Sequence, residues 1–411
     1  MIDPRRIMQR CEALARHSEL AGGLTRVFLS AEQRAASELV LGWMREAGMT
    51  ARLDAIGNVA GRYEGAQSGQ PCLMLGSHLD TVRDAGKYDG MLGVVSAIEC
   101  VQALHAAGRR LPFAIEVLGF GDEEGVRFGS TLLGSRAVAG IFEAHVLNAV
   151  DARGLSMDKA LRDFGLDPAR IAEVARKKSA VLAYAELHIE QGPVLEAEGL
   201  PVGVVTAING FSRLAVTLGG VAGHAGTVPM NLRRDALAGA AECVLAVERI
   251  AAGEPELVGT VGRIEASPGA INVIPGEVRF TVDVRSSKDA TRDAAIERMR
   301  AEFEALCRKR NLGLNIETLQ SLGVTPCTGW LMAQMDAAVA AEGLPVRRLA
   351  SGAGHDGMAL RAITDICMLF VRCKGGVSHS PLEAITEEDA AAGARVLARF
   401  IGNFRPAGMS A

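Results

Sequence analysis

The chain has 411 residues, of which 49% are apolar and 22% charged, and a formal net charge of −4. This length exceeds what one hydrophobic core normally supports and predicts two domains, while the composition excludes a disordered chain. The absence of any Lys/Arg-rich block excludes a nucleic-acid surface, and no apolar run is long enough to predict a membrane span. We therefore predict a small-molecule partner.

The amino-terminal stretch MIDPRRIMQRCEALARH is polar and amphipathic, and it lacks the continuous apolar run of a signal peptide. The eight cysteines form no CxxC pair and stand mostly inside apolar runs, where a thiol packs as a small hydrophobic group. Both features favour a reducing, cytoplasmic location.

The first half of the chain alternates helical and strand-like segments. From Ser30, the run SAEQRAASELVLGWMREAG predicts a helix with Ser30 as its N-cap, Gln33 three residues later and Gly48 at its end. There follow a strand PCLMLGSHLDT, a helix GMLGVVSAIECVQALHAAG, a strand PFAIEVLGFGDEEG, a short helix and a strand AVLAYAELHIEQG. Apolar strands alternating with helices predict an α/β fold with a mainly parallel sheet and helices on both faces.

After about residue 210 the pattern changes. Six segments then follow in the order βαββαβ, which is that of a ferredoxin-like α+β domain. They are FSRLAVTLGG, RRDALAGAAECVLAVERIAAG, ELVGTVGRIEA, GEVRFTVDVRSS, KDATRDAAIERMRAEFEALCRKRN and LGLNIETLQS. Helices and strands of the first type then resume and end in TEEDAAAGARVLARFIGNF. We therefore predict a catalytic domain of residues 1–210 and 326–411, interrupted by an inserted domain of residues 211–325.

Acidic and histidine residues follow most predicted strands of the first domain. Functional groups gather at the carboxyl ends of the strands in such sheets, and imidazole with carboxylate suits Zn²⁺ or a similar ion. Any one of these residues alone is more simply explained as a polar loop residue, but five such loops together predict a metal site. The residues concerned are His78, Asp80, Asp89, Asp122, Glu123, Glu124, His188 and His379.

Eight segments match one known family in order and spacing: GSHLDTV, YDG, GDEEG, LHIEQGPVLE, GHAGTVPM, NVIPG, SGAGHDGMAL and SHSPLE. They resemble the hydantoinase/carbamoylase-type amidases, which include L-carbamoylases, allantoate amidohydrolases, β-ureidopropionases and ureidoglycolate amidohydrolases. This group belongs to the zinc aminoacylase and exopeptidase superfamily, and the resemblance covers nearly the whole chain. It implies a catalytic α/β domain with an inserted lid domain that also makes the contact of a homodimer.

The resemblance implies two divalent metal ions per subunit, with Zn²⁺ the first choice and Mn²⁺, Co²⁺ or Ni²⁺ as alternatives. It makes Asp89 the ligand that bridges the two ions and Glu123 the general base. Asp80 would hold the ring of His78 in the required tautomer. The remaining ligands that it implies are His78, Glu124, His188 and His379.

The resemblance also implies substrate contacts. In the inserted domain, His224 would stabilise the oxyanion of the reaction. Asn272 and Arg285 would clamp the substrate carboxylate, for which a planar guanidinium is well suited. Gln191 and His355 are the further contacts that we predict in the catalytic domain.

The predicted reaction is hydrolysis of the carbamoyl C–N bond of an N-carbamoyl-L-amino acid, giving the amino acid, carbon dioxide and ammonia. Allantoate, ureidoglycolate or β-ureidopropionate is an alternative substrate, because the clamp recognises only the carboxylate. A dipeptidase or aminoacylase is disfavoured by the LHIEQGP and GHAGT segments. A non-catalytic binding protein is disfavoured because a full cluster of like charges is costly to retain without a use.

Overall fold

The computed structural model describes residues 1–407. Its contacts divide the chain into two compact units, one formed by Met1–Thr206, Cys327–Leu349 and the residues from Ala353 onward, the other by Ala207–Pro326 and Ala350–Gly352. The second unit thus includes the short segment Ala350–Gly352. The main-chain N–H of Asn209 donates to the carbonyl of Ser351 at 2.9 Å, which ties this segment to the second unit.

The helices and strands are numbered in chain order. The helices are α1 (Pro4–Ala15), α2 (Ala31–Glu46), α3 (Met91–Ala106), α4 (Leu133–Val138), α5 (Met157–Asp163), α6 (Val194–Ala197), α7 (Ala236–Ala252), α8 (Asp289–Arg310), α9 (Gly329–Ala341), α10 (Gly357–Leu360) and α11 (Glu387–Asn403). The strands are β1 (Thr50–Leu53), β2 (Val59–Tyr63), β3 (Cys72–His78), β4 (Ala114–Phe120), β5 (Val181–Ile189), β6 (Val202–Ile208), β7 (Gly210–Gly219), β8 (Gly223–His224), β9 (Leu257–Thr260), β10 (Ile264–Ser267), β11 (Val273–Ile274), β12 (Glu277–Ser286), β13 (Gly313–Leu322), β14 (Thr325–Pro326), β15 (Arg348–Ser351) and β16 (Ile366–Val371). None of the helices within residues 1–407 is both long and apolar enough to cross a bilayer.

The largest sheet has nine strands, in the order β1-β2-β4-β3-β5-β16-β6-β14 with β15 also paired to β6. Its four central strands, β4, β3, β5 and β16, run parallel, and antiparallel strands extend it on both sides. Every residue of β3, β4 and β16 is buried, as expected for strands covered on both faces. The predicted α/β class with a parallel central sheet is confirmed.

The two faces of this sheet differ in chemistry. Leu73 and Leu75 on β3 belong to the main hydrophobic core, together with residues of α1, α2, α3, α9 and α11. Successive strand residues point to opposite faces, so His78 on β3 and His188 on β5 project away from that core. The face with Leu73 and Leu75 thus packs against these helices, while the opposite face carries the two histidines.

The predicted helix from Ser30 is confirmed as α2. The hydroxyl of Ser30 accepts a hydrogen bond from the main-chain N–H of Gln33 at 3.0 Å, and the helix ends at Glu46, shortly before Gly48 with φ of 75°. The prediction for the cysteines is also confirmed, since all eight thiols are free and buried.

The second unit has the elements of the predicted βαββαβ order, except that one predicted strand is divided and the short strands β8 and β11 are added. Its main sheet runs β10-β12-β7-β13, with β9 also paired to β12, and α7 and α8 contribute to its hydrophobic core. The prediction of one strand over ELVGTVGRIEA is wrong, because the structure divides it into β9 and β10. Both strands pair with β12. Three residues, 261–263, lie between the paired parts of β9 and β10, but only two residues of β12, 281–282, lie opposite them. The extra residue interrupts the pairing.

Gly93 allows helix α3 to approach the parallel sheet closely. A Cβ at this position would lie 2.2 Å from the carbonyl oxygen of Leu187 on β5 and 2.9 Å from the Cβ of Ser77 on β3. Since α3 begins at Met91, directly after Asp89 and Gly90, this contact also fixes the loop that carries Asp89. The small residue therefore links the packing of the core to the placement of a predicted ligand.

We expect Gly93→Ala to lower the free energy of unfolding by roughly 1 to 3 kcal/mol, because the added methyl group must displace main chain. The matched control is Gly42→Ala on α2, where a Cβ meets nothing within 4 Å. Because alanine is the better helix former, this substitution should raise the free energy of unfolding by about 0.5 to 1 kcal/mol. Urea unfolding followed by tryptophan fluorescence measures both, since the two tryptophans, Trp43 and Trp330, lie in the first unit. Equal shifts of the two variants would contradict the close-packing argument.

Candidate active site

The predicted ligands gather where the parallel strands end. His78, the last residue of β3, pairs in register with Phe120, the last residue of β4, and His188 on β5 pairs with Phe370 on β16. The ring centroids of His78 and His188 are 5.7 Å apart. Because the strands are parallel, the loops that follow them leave the same edge of the sheet and bring their side chains to these two histidines.

The carboxylate of Asp89 lies at the centre of the cluster. Its Oδ1 is 3.2 Å from Nε2 of His188 and 3.8 Å from Nε2 of His78. Its Oδ2 is 3.1 Å from Nε2 of His379, which in turn is 3.4 Å from Oε1 of Glu124.

Among residues 1–407, four groups of three possible ligands have their ligand atoms within 4.8 Å of one another. One group is Glu186, His188 and His355, another is His78, Glu123 and Glu124, and the remaining two contain Asp89. These two are the first set, His78, Asp89 and His188, and the second set, Asp89, Glu124 and His379. Asp89 belongs to both sets and offers a different oxygen to each, which is the arrangement expected of a carboxylate bridging two cations.

Main-chain carbonyl groups orient the two histidines of the first set. Nδ1 of His78 lies 3.0 Å from the carbonyl oxygen of Asp80, and Nδ1 of His188 lies 2.9 Å from that of Ile189. A carbonyl oxygen can only accept, so each Nδ1 carries a hydrogen and each Nε2 is the nitrogen directed at Asp89. This is the tautomer in which Nε2 can bind a metal ion.

The structure assigns Asp80 a different contact from the one predicted. Its main-chain oxygen, not its carboxylate, holds the ring of His78, since the nearest carboxylate oxygen is 3.7 Å from Nδ1. The carboxylate instead accepts the main-chain N–H of Glu123 at 3.0 Å and that of Glu124 at 3.1 Å. The chain turns after β3, so this side chain reaches the loop after β4 and positions the two adjacent glutamates.

The electrostatics of the cluster favour a cation. Burial raises the pKa of Glu123 well above its usual range. Burial opposes ionisation of Asp89 too, but its contacts with the imidazole groups of His188 and His379 hold the pKa of Asp89 well below its usual range. Hydrogen bonds to Asp89 and Glu124 raise the pKa of His379 to about 10. Carboxylates so concentrated in a buried site, together with imidazole donors, fit divalent cations of the zinc type, whose charge favours the ionised form of the carboxylates.

Gln191 and His355 lie beside this cluster. Nε2 of Gln191 donates to Oδ1 of Asp89 at 3.1 Å and lies 3.2 Å from the hydroxyl of Ser378, while its buried Oε1 accepts no hydrogen bond from the described residues. The ring of His355 lies 4.6 Å from that of His188, centroid to centroid, and burial holds the pKa of His355 well below its usual range. Their predicted contact with a substrate stays a prediction.

The other predicted contacts lie in the second unit. The exposed residues His224 and Asn272 are neighbours there, since His224 on β8 pairs with Val273 on β11 and the N–H of Ala225 donates to the carbonyl of Asn272 at 2.9 Å.

Arg285 on β12 already has partners inside this unit. Its Nε and one terminal nitrogen donate to Asp283 at 2.8 and 3.1 Å, and its other terminal nitrogen donates to the carbonyl of Gly352 at 2.8 Å. A substrate carboxylate bound by Arg285 would therefore compete with Asp283 for the guanidinium group.

Ser378 and Glu383 are among the residues of this site that were not predicted from the sequence. The hydroxyl of Ser378 donates to Oε2 of Glu383 at 3.0 Å, and Oε1 of Glu383 accepts the main-chain N–H of Asp89 at 3.1 Å. Both residues lie in the segment SHSPLE, but nothing in the sequence alone distinguishes a buried acid in this loop from an exposed one.

Comparison with known proteins identifies the family of this chain. Residues 74–403 match the peptidase family M20/M25/M40. The chain is 44% identical to the N-carbamoyl-L-amino acid amidohydrolase of Geobacillus stearothermophilus over 97% of each chain, and 40% identical to allantoate deiminase 1 of Glycine max over 96% of this chain and 88% of that one. A crystal structure of an amidase of the hydantoinase/carbamoylase family from Burkholderia multivorans matches with a TM-score of 0.92 and 33% identity, covering 97% of each chain. The chain therefore belongs to the peptidase family M20/M25/M40 and, within it, to the hydantoinase/carbamoylase-type amidases.

Proposed function

We propose that this protein is a metal-dependent amidohydrolase that cleaves the carbamoyl C–N bond of N-carbamoyl-L-amino acids. The observation that carries the proposal is the pair of ligand sets that share Asp89, with Glu123 beside them on the loop after β4. The 44% identity to a relative named N-carbamoyl-L-amino acid amidohydrolase supports the choice of substrate.

In this proposal two divalent cations, Zn²⁺ by preference, are held by the residues of the two sets. His78, Asp89 and His188 would bind one ion, and Asp89, Glu124 and His379 the other. Bound ions of this kind lower the pKa of water and polarise a carbonyl group.

The chain's own residues move the proton. Glu123 removes a proton from the attacking water, whose oxygen forms a bond to the carbamoyl carbon. Glu123 then delivers that proton to the nitrogen of the amino acid as the bond between this nitrogen and the carbamoyl carbon breaks. The products are the free amino acid and carbamic acid, which decomposes to carbon dioxide and ammonia. Asp80 assists by fixing the main chain of Glu123 through the hydrogen bond described above.

The remaining assignments concern substrate binding and assembly. In the second unit, Arg285 and Asn272 would bind the substrate carboxylate and His224 the developing oxyanion, and this unit would serve as lid and dimer contact. Gln191 and His355 would complete the pocket in the first unit. We further propose a homodimer in the cytoplasm, where the eight reduced thiols would be stable.

The test is ammonia release by zinc-reconstituted protein from N-carbamoyl-L-amino acids, N-carbamoyl-β-alanine, allantoate and ureidoglycolate. We expect the highest kcat/KM with an N-carbamoyl-L-amino acid. The matched control substrate is the primary amide of that compound, which lacks the carboxylate and should lose much of kcat/KM through a raised KM. Preference for allantoate or ureidoglycolate would overturn the substrate assignment, and no ammonia from any of them would overturn the proposed reaction.

A further inference from the structure

Glu383 is a buried acid that connects the two loops carrying Asp89 and His379. It lies four positions after His379 and is only 5% exposed. Its Oε1 accepts the main-chain N–H of Tyr88 at 2.8 Å and that of Asp89 at 3.1 Å. Its Oε2 accepts the hydroxyl of Ser378, the residue before His379, at 3.0 Å.

The fold provides a specific place for this carboxylate. A Cβ on Gly86 would lie 2.2 Å from Cδ and 2.3 Å from Cβ of Glu383, so the loop before Asp89 can enclose the side chain only because residue 86 is glycine. The hydroxyl of Ser378 also lies 3.2 Å from Nε2 of Gln191, itself bonded to Asp89. Hydrogen bonds therefore connect Asp89, Gln191, Ser378 and Glu383 in this order. The main-chain N–H of Asp89 closes the ring by donating to Glu383.

We propose that Glu383 is a positioning residue for the second ligand set, formed by Asp89, Glu124 and His379. This inference rests on the proposed function only in assuming that the set binds a cation. A single carboxylate fixes the main chain at Asp89 and the loop beside His379, and thereby the 3.1 Å separation of Asp89 Oδ2 from His379 Nε2. The first set also contains Asp89 but depends on Glu383 less, because main-chain carbonyls hold its two histidines, His78 and His188.

Because Glu383 acts through hydrogen bonds, three substitutions should differ in how strongly they disturb the second ligand set. Glu383→Ala leaves the N–H groups of Tyr88 and Asp89 without their acceptor. Glu383→Gln keeps an oxygen for these N–H groups and offers an amide to the oxygen of Ser378, so it should restore most of the arrangement. Ser378→Ala cuts only the link to the His379 loop and should give an intermediate result.

The experiment is a Co²⁺ titration of metal-stripped protein in competition with a chelating dye, followed by the visible absorption bands of bound Co²⁺. The unsubstituted protein should bind two equivalents of Co²⁺. For Glu383→Ala we expect the affinity for one of these equivalents to fall about 10- to 100-fold, as is typical when a residue that orients a metal ligand is lost. Affinity for the other equivalent of Co²⁺ should fall less, and Glu383→Gln should regain most of the loss.

The matched control is Glu388→Ala, at an exposed position of α11. Urea unfolding followed by tryptophan fluorescence identifies any variant that is misfolded. If Glu383→Ala is misfolded, Ser378→Ala replaces it in the Co²⁺ titration. If Glu383→Ala and Ser378→Ala bind both equivalents as tightly as the control, or if Glu383→Gln is as weak as Glu383→Ala, the inference is overturned. If the unsubstituted protein binds no Co²⁺, the proposed function itself fails.

Discussion

Replacing Glu123 by glutamine is expected to lower kcat for the preferred carbamoyl substrate by about 10²- to 10⁴-fold, the usual contribution of a general base. Glutamine has the shape of glutamate and keeps the main-chain N–H that Asp80 accepts at 3.0 Å, but it cannot take a proton from water. KM should change little, because Glu123 is assigned no contact with the substrate before the reaction begins. Initial rates of ammonia release over a range of substrate concentrations measure both constants.

Two controls are needed to interpret this result. Metal content must equal that of the unsubstituted protein, because the neighbouring Glu124 belongs to a ligand set. Glu388→Gln, at an exposed site on α11, should leave kcat unchanged. A Glu123→Gln protein that keeps its metal and turns over at nearly the original rate would remove Glu123 from the mechanism.

Replacing Asp89 by asparagine is expected to have the second large effect, because this carboxylate offers one oxygen to each ligand set. Oδ1 lies 3.2 Å from His188 and Oδ2 lies 3.1 Å from His379, whereas asparagine has only one oxygen and no charge. We expect at most one tightly bound metal ion per chain. The activity should fall by more than the ~10- to 100-fold typical of changes to residues around the ligands.

Metal analysis after dialysis, together with ammonia release, tests this expectation. The matched control is Asp84→Asn, an exposed position in the same connection between β3 and α3 with φ of 50°, which asparagine tolerates. An Asp89→Asn protein that retains two ions per chain would show that Asp89 does not bridge them.

Several contacts could not be anticipated from the sequence, for reasons that individual residues illustrate. The resemblance to the amidase family implied that the carboxylate of Asp80 holds the ring of His78. A main-chain oxygen does so instead, because the turn after β3 sends the Asp80 side chain to Glu123 and Glu124. The break between β9 and β10 depends on the length of the facing segment of β12, which local sequence does not contain.

The sequence by itself determined the α/β class, most of the βαββαβ order of the second unit and the candidate ligands at the strand ends. These features depend on hydrophobic periodicity and on residue types at strand ends, both of which are local. The tertiary structure alone decided that Asp89 faces two ligand sets and that Glu383 is buried beneath the Asp89 loop. Each of these depends on contacts between segments distant in the chain, whose distances are set by the register of the parallel strands and the close packing of glycines such as Gly86 and Gly93.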